Sequence, residues 1–149
     1  MKDDIDELDM RILTTMLRGK GVGARLTQLA NELKIPRSTA NLRVNRLEEK
    51  GVISTYAPVI NWEKLGYEFS GFIGIICPSD TVDNLIERLK DEESISEIWD
   101  VTTGTFRIFM QCRFKSYEDL RGIYDLIMEV PGVKDVNVWL LGNAYKKEV

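Results

Sequence analysis

The feature of this sequence that most constrains its fold is a change of hydrophobic period near residues 60–66. Before this point, apolar residues recur at the three- and four-residue spacing of helices in three short segments. After it, segments rich in Ile, Val and Phe alternate with two further helical segments. The 149-residue chain is therefore predicted to hold two small domains, residues 1–60 and 67–149, joined by a linker at residues 61–66.

The first half is predicted to form three helices followed by a short β-prone segment. The helices are expected from about Ile5 to Arg18, from Thr27 to Leu33 and from Pro36 to Lys50. A glycine-rich turn at residues 19–23 separates the first two, and Val52–Tyr56 is β-prone. Three short helices in this order predict a helix-turn-helix domain of the winged type.

The second half is predicted to follow the order β-α-β-β-α-β. This order is typical of a ferredoxin-like domain, in which two helices cover one face of an antiparallel sheet, so the fold class is α+β. Gly104 is expected to join the second and third strands as a hairpin. The six segments are Tyr67–Pro78, Asp80–Glu92, Ser94–Thr103, Thr105–Phe114, Tyr117–Glu129 and Val133–Leu141.

The predicted strands are apolar on both faces, although two helices can cover only one of them. Strands covered on one face normally alternate apolar with polar residues. Here Phe72 and Ile76 point away from Phe69 and Ile73, and Trp139 points away from its apolar neighbours. A second copy of the chain is the simplest cover for the open face, so a homodimer is predicted. The set expected on the helix-covered face of the third strand is Phe106, Ile108, Met110, Cys112 and Phe114.

Charge is distributed unevenly along the chain. The net charge is −4, but residues 11–50 hold nine basic and three acidic residues, a net charge of +6, and residues 61–149 hold ten and sixteen, a net charge of −6. A basic block followed by an acidic one indicates a nucleic-acid-binding module fused to a separate domain.

The third helix carries the predicted DNA contacts. Ala40, Val44 and Leu47 share one side and are expected to pack on the other helices. The opposite side suits base recognition, since Asn pairs with adenine and an aliphatic group contacts the thymine methyl. The predicted base-reading set is Ser38, Asn41, Leu42 and Asn45, flanked by Thr39. The predicted phosphate contacts are Arg37, Arg43, Arg46 and Lys50, with Lys20 and Arg25 gripping the DNA backbone alongside, and Arg37 near enough the helix start to reach a base.

Other function classes find less support in the sequence. The chain has no histidine, and its cysteines, Cys77 and Cys112, do not have metal-ligand spacing, so no catalysis, metal or cofactor is expected. The alternatives are a small ferredoxin-like enzyme using Glu97, Asp100 and Arg107, or a ligand-binding and oligomerising adaptor that does not bind DNA. The acidic start and the absence of a long apolar segment predict a cytoplasmic protein.

A set of short stretches, spread over nearly the whole chain, forms a pattern seen in one known family. These stretches are Leu8-Asp9-Met10-Arg11-Ile12-Leu13, Leu29-Ala30, Ser38-Thr39-Ala40, Arg43-Val44-Asn45-Arg46-Leu47-Glu48, Gly51-Val52-Ile53, Leu65-Gly66 and Pro131-Gly132-Val133. In them the sequence resembles the leucine-responsive regulatory protein/asparagine synthase regulator C (Lrp/AsnC) family. The resemblance implies a transcription regulator with a helix-turn-helix and a β-α-β-β-α-β domain named for the regulation of amino-acid metabolism. It also implies dimers with sheets packed face to face, assembly to tetramers or octamers, and pseudo-palindromic promoter sites.

The chain departs from the family pattern where many members bind a small effector, often an amino acid. The family's acidic loop between the second and third strands is replaced by Gly104-Thr105-Phe106-Arg107, and two family threonines become Val136 and Val138. Arg107 either pairs with a ligand carboxylate, fills the site itself or forms a surface salt bridge. Pro36 also replaces a capping serine, a role that Ser38 is expected to take. The candidate effector set is Thr102, Thr103, Gly104, Thr105 and Arg107.

Overall fold

The computed structural model describes residues 5–19 and 26–147. Contacts divide the chain into two compact units, one made of the residues up to Ile60 together with those from Lys146 onward, and the other running from Asn61 to Tyr145. Within the described residues, no helix combines the length and the apolar character that crossing a membrane requires.

The N-terminal unit is built from three helices around a small apolar core. They are α1 (Glu7–Leu17), α2 (Leu26–Leu33) and α3 (Arg37–Glu49). Asp6 begins α1 through a capping box, in which its carboxylate accepts the Asp9 N–H at 2.9 Å while its own N–H donates to the Asp9 carboxylate at 3.2 Å. The fully enclosed core side chains come from all three helices: Ile12, Leu29, Ala30, Leu33, Ala40, Val44 and Leu47.

Two local expectations for this unit are wrong. Pro36 is the N-cap residue of α3, and Ser38 lies inside the helix and provides no side-chain cap. Residues 52–56, all of them described, form no strand. Instead the N–H groups of Val52 and Ile53 both donate to the Leu47 carbonyl, at 2.9 and 3.1 Å, and Ile53 packs on the core. Because these donors are used by the end of α3, the segment folds back onto the helix rather than extending into a wing strand.

The C-terminal unit is an antiparallel sheet with two helices. The sheet order is β2-β3-β1-β4, the ferredoxin-like arrangement. The core lies between the helices and one sheet face, and its central members include Ile73, Ile75, Leu85, Met110 and Ile127. The elements are β1 (Phe69–Ile76), α4 (Val82–Leu89), β2 (Ile95–Asp100), β3 (Ile108–Phe114), α5 (Tyr117–Met128) and β4 (Asp135–Leu140).

The connection between β2 and β3 is longer than the predicted hairpin. The strands end at Asp100 and resume at Ile108, and the Val101 N–H closes the intervening loop by donating to the Arg107 carbonyl at 2.9 Å. Phe106 therefore does not follow the alternation of β3 and is not on the helix-covered face. Its ring lies over Gly74 and beside Trp139 on the opposite face. Side chains alternate between the two faces only within a strand, and Phe106 precedes the start of β3.

The end of the predicted linker is ordered on the C-terminal unit. Residues Glu63–Leu65 form a 3-10 turn that ends at Gly66, whose φ of 90° suits glycine. The Trp62 ring meets Tyr67 edge-on at 5.4 Å. The guanidinium of Arg113, on β3, lies 3.6 Å from the centre of the Trp62 ring, a cation–π contact.

Candidate nucleic-acid interface

Helix α3 is fixed by one side and leaves the opposite side open to solvent. Ala40, Val44 and Leu47 are buried at the three- and four-residue spacing of one helix face. Leu42, on the other side, is 66% exposed, and Asn45 is exposed beside it. An exposed leucine among polar side chains is costly to hydrate and gains from burial against a partner.

Most of the predicted DNA contacts are exposed in the structure. Thr39 and Arg43 are half-buried. Arg25 and Lys20 lie outside the described residues. The remaining predicted contacts are all exposed along α3 and at its end: Arg37, Ser38, Asn41, Leu42, Asn45, Arg46 and Lys50.

Arg43, which the sequence predicts as a phosphate contact, is engaged in ion pairs within the N-terminal unit. Its guanidinium lies 2.6 Å from the Asp6 carboxylate and 3.3 Å from that of Asp9, and its side chain is 24% exposed. The hydrogen bond from Arg43 lowers the pKa of Asp6 below its usual value and raises that of Arg43. Because its charge is matched by two carboxylates, Arg43 ties α3 to the start of α1.

A second tie, which the sequence reading missed, holds the chain after α3. The Tyr56 hydroxyl donates to the Glu48 carboxylate at 2.5 Å. Partial burial, followed by this hydrogen bond, raises the pKa of Tyr56 to about 12. Glu48 is thereby engaged on the flank of α3. Tyr56 lies eight residues after Glu48 and outside α3, so helical spacing could not have predicted this hydrogen bond.

The turn that leads into α3 carries a further cation that was not among the predicted contacts. Lys34 is exposed and has a φ of 55°, a left-handed backbone conformation that residues other than glycine rarely adopt. It lies three residues before Arg37, the first residue of α3.

The predicted effector residues lie together in the loop between β2 and β3. Thr102, Thr103, Gly104 and Thr105 are exposed, whereas Arg107 is half-buried. The Arg107 N–H donates to the Ile75 carbonyl at 2.8 Å, which fixes the loop to the sheet. The Arg107 Nε lies 3.9 Å from Asp100, an ion pair too long for a hydrogen bond, and this buried nitrogen has no hydrogen-bond partner among the described residues.

The sheet face away from the helices carries a cluster of aromatic rings. Phe72 stacks on Phe109 with ring centres 5.1 Å apart, and Phe109 lies 5.9 Å from Trp139. Trp139 in turn meets Phe106 edge-on at 5.3 Å. Trp99, on the edge strand β2, is 60% exposed. Aromatic rings in contact on one face form an apolar surface suited to a protein partner.

Family comparisons agree with this two-part construction. Residues 5–54 match the family described as winged helix-turn-helix DNA-binding. Residues 70–149 match the Lrp/AsnC ligand binding domain. The fold and the exposed face of α3 thus define a helix-turn-helix DNA-binding protein with a second, ligand-binding domain. The chain belongs to the Lrp/AsnC family of DNA-binding transcription regulators.

Similar proteins span nearly the whole chain. An uncharacterized HTH-type transcriptional regulator of Pyrococcus horikoshii, PH0140, is 30% identical over 97% of this chain and 90% of its own length. The HTH-type transcriptional regulator FL11 of Pyrococcus abyssi is 29% identical over 99% and 95%. Among solved structures, the NMB0573/L-Met complex from Neisseria meningitidis superposes with a TM-score of 0.81 at 18% identity, covering 96% of this chain and 93% of that one. Escherichia coli AsnC gives 0.77 at 23% identity, covering 97% of both.

Proposed function

We propose that this regulator recognises specific promoter sequences by placing α3 in the major groove of DNA. The observation that carries the proposal is the open side of α3, where exposed Leu42 stands among Ser38, Asn41 and Asn45. Amide side chains suit adenine edges, and a leucine suits a thymine methyl. These four residues are assigned to base reading.

Exposed cations on the same helix are assigned to the phosphates. Arg37, Arg46 and Lys50 are exposed and flank the base-reading side, whereas Arg43 is assigned to positioning because Asp6 and Asp9 neutralise it. Phosphate contacts set the register of the helix on DNA and make binding weaken steeply with salt.

Asn45→Ala and Arg46→Ala separate the two roles. The first is expected to weaken binding to a selected operator while leaving binding to random duplex unchanged, because a base contact is lost. The second is expected to weaken both alike and to reduce the salt slope by about 1, because a phosphate contact is lost. Fluorescence anisotropy on operator and random duplexes at several salt concentrations measures both. Equal losses on the two duplexes for Asn45→Ala would contradict base reading.

The aromatic face of the sheet is proposed to bury itself against the same face of a second copy. Phe72, Phe109 and Trp139 form a contacting set there, and a self-complementary face closes a two-fold dimer. Such a dimer presents two α3 helices to successive major grooves, roughly 34–36 Å apart or a multiple of that, which fits pseudo-palindromic sites. Further assembly into tetramers or octamers is proposed on the resemblance to the family alone.

Sedimentation equilibrium tests the dimer. Phe109→Glu places a charge among the rings and is expected to yield a monomeric mass with an intact circular dichroism spectrum. Tyr124→Glu is the matched control, because Tyr124 is an exposed aromatic residue on α5, outside the proposed interface. A monomeric wild-type chain, or a dimer that survives Phe109→Glu, would contradict the assignment.

A small effector is proposed to bind at the loop between β2 and β3. The half-buried Arg107, whose Nε lacks a hydrogen-bond partner among the described residues, is the group suited to a ligand carboxylate. Threonine hydroxyls at 102, 103 and 105 lie in the same loop. Calorimetric titration with a panel of amino acids tests this, and Arg107→Gln is expected to abolish any binding. An amino acid that binds Arg107→Gln as tightly as wild type would contradict the carboxylate contact.

A further inference from the structure

Lys34 ends α2 in a conformation that normally requires glycine. It is the one non-glycine residue with positive φ among residues 5–19 and 26–147. The Ile35 N–H donates to the Ala30 carbonyl at 3.0 Å, and the Lys34 N–H points to the Asn31 carbonyl at 3.3 Å. This pair of bonds is the Schellman motif, whose left-handed position Lys34 occupies.

The same motif ends α3 with glycine instead. The Val52 N–H donates to the Leu47 carbonyl and the Gly51 N–H to the Glu48 carbonyl, both at 2.9 Å, and Gly51 has a φ of 71°. Two equivalent helix ends of one unit thus differ only in whether the left-handed residue bears a side chain. At position 34 the lysine side chain costs stability that glycine would not.

Among residues 5–19 and 26–147, no side-chain hydrogen bond or ion pair of Lys34 offsets this cost. Lys34 is exposed, and no carboxylate of the described residues pairs with its ammonium group. Its backbone bonds would form equally with glycine in its place.

The position of Lys34 indicates where its charge is used. The turn at residues 34–36 leads directly into α3, which begins at Arg37. In a helix-turn-helix, the start of the recognition helix enters the groove, so the turn before it stands beside the DNA backbone. An exposed ammonium group with no carboxylate partner among the described residues is available there to contact a phosphate.

We propose that Lys34 is a DNA phosphate contact held at the helix-turn-helix turn against backbone strain, an inference that rests on the proposed DNA-binding role of α3. It adds a residue to the interface that lies outside α3 itself. Removing the side chain should therefore have two opposite effects. It should raise the stability of the fold, because backbone strain is relieved, and lower the affinity for DNA, because a contact is lost.

Lys34→Gly in the full-length chain tests the effect on stability and the effect on DNA affinity together. Its thermal unfolding midpoint is expected to rise by roughly 2–6 °C, because a left-handed lysine becomes a glycine. Its affinity is expected to fall on operator and random duplexes alike, and the salt slope of binding to decrease by about 0.9, the value of one phosphate contact. Lys34→Gln keeps the strain but loses the charge, so it is expected to lose affinity without the gain in Tm.

Lys134→Gln is the matched control, because Lys134 is an exposed lysine of the C-terminal unit, and its DNA affinity is expected to equal that of wild type. A Lys34→Gly chain that is more stable but binds DNA with unchanged affinity and salt slope would overturn the proposal. A Lys34→Gly chain with a lowered Tm would show that Lys34 is not held under backbone strain, and this would also overturn the proposal. If wild type binds no duplex at all, the proposed function itself fails, and that outcome is distinct from a Lys34-specific result.

Discussion

Leu42→Ala is the substitution that separates a role in DNA binding from a role in folding most cleanly. Fully burying a leucine side chain is worth about 1.5–3 kcal/mol. Because Leu42 is 66% exposed in the free chain, burial of that remaining surface against DNA is worth about 1–2 kcal/mol. With about 1.4 kcal/mol for each factor of ten in affinity, Leu42→Ala is expected to weaken operator binding roughly 5- to 30-fold.

The same substitution should leave the fold intact. Leu42 is mostly exposed and is not one of the apolar residues that form the core of the N-terminal unit, and alanine is at least as good a helix former, so the free energy of unfolding should change by less than about 0.5 kcal/mol. Leu17→Ala is the matched control, because Leu17 is a 54% exposed leucine at the end of α1. Anisotropy titrations give the affinities, and thermal denaturation gives the stability.

Three results would contradict a role for Leu42 in DNA binding alone, and the first two concern affinity. One is operator affinity unchanged in a Leu42→Ala chain that is correctly folded. The other is an equal loss in Leu17→Ala, which would show that exposed apolar surface anywhere on the unit supports binding. A fall in Tm of several degrees for Leu42→Ala alone would show that the leucine belongs to the core.

Three further substitutions test other contacts. Gly74→Ala places a Cβ 2.8 Å from the Phe106 ring and 3.0 Å from the Trp139 ring. It should therefore displace the aromatic cluster and weaken dimerisation in sedimentation while leaving secondary structure unchanged, and an unaltered dimer constant would contradict the proposed interface. Asp9→Ala removes a buried carboxylate that caps α1 and pairs with Arg43. Urea denaturation should show a free energy of unfolding lower by roughly 2 kcal/mol, and an unchanged value would mean that these contacts do not stabilise the fold. Tyr56 has a raised pKa of about 12, so its hydroxyl stabilises the fold below about pH 10, and this contribution is lost as the pH rises towards 12. The free energy of unfolding of Tyr56→Phe should therefore fall less steeply over that pH range than that of wild type. An identical fall would contradict the contact.

The orientation of α3 could be predicted from the sequence because its signal is local. Ala40, Val44 and Leu47 repeat at helical spacing, and their burial leaves Leu42 and Asn45 outside. The β-α-β-β-α-β order was also predictable, since each change of period marks an element. Where the pattern of a strand continued into a loop, the prediction failed: Phe106 alternates with Ile108, but the ladder begins only at Ile108.

Interactions that join distant positions could not be predicted. Arg43 and Asp9 are 34 residues apart, and nothing in either segment indicates that one neutralises the other. A cationic residue on α3 was therefore assigned to phosphate by its type alone. The left-handed conformation of Lys34 was equally hidden, because Pro36 marks the end of α2 but does not determine the sign of φ before it.

Directed cleavage from position 49, at the end of α3, tests most directly whether α3 enters the major groove. Glu49 is exposed and is not one of the proposed base or phosphate contacts, so a probe there leaves those contacts in place. Glu49→Cys in a Cys77→Ser chain carries an iron chelate that cuts nearby DNA, and Cys112 remains unmodified because it is buried and burial raises its pKa to about 12. We expect two clusters of cuts on the operator, about one helical turn or a multiple of it apart. Binding without localised cuts, or cuts no stronger than those from the same chelate at Leu17→Cys, would contradict this placement of α3.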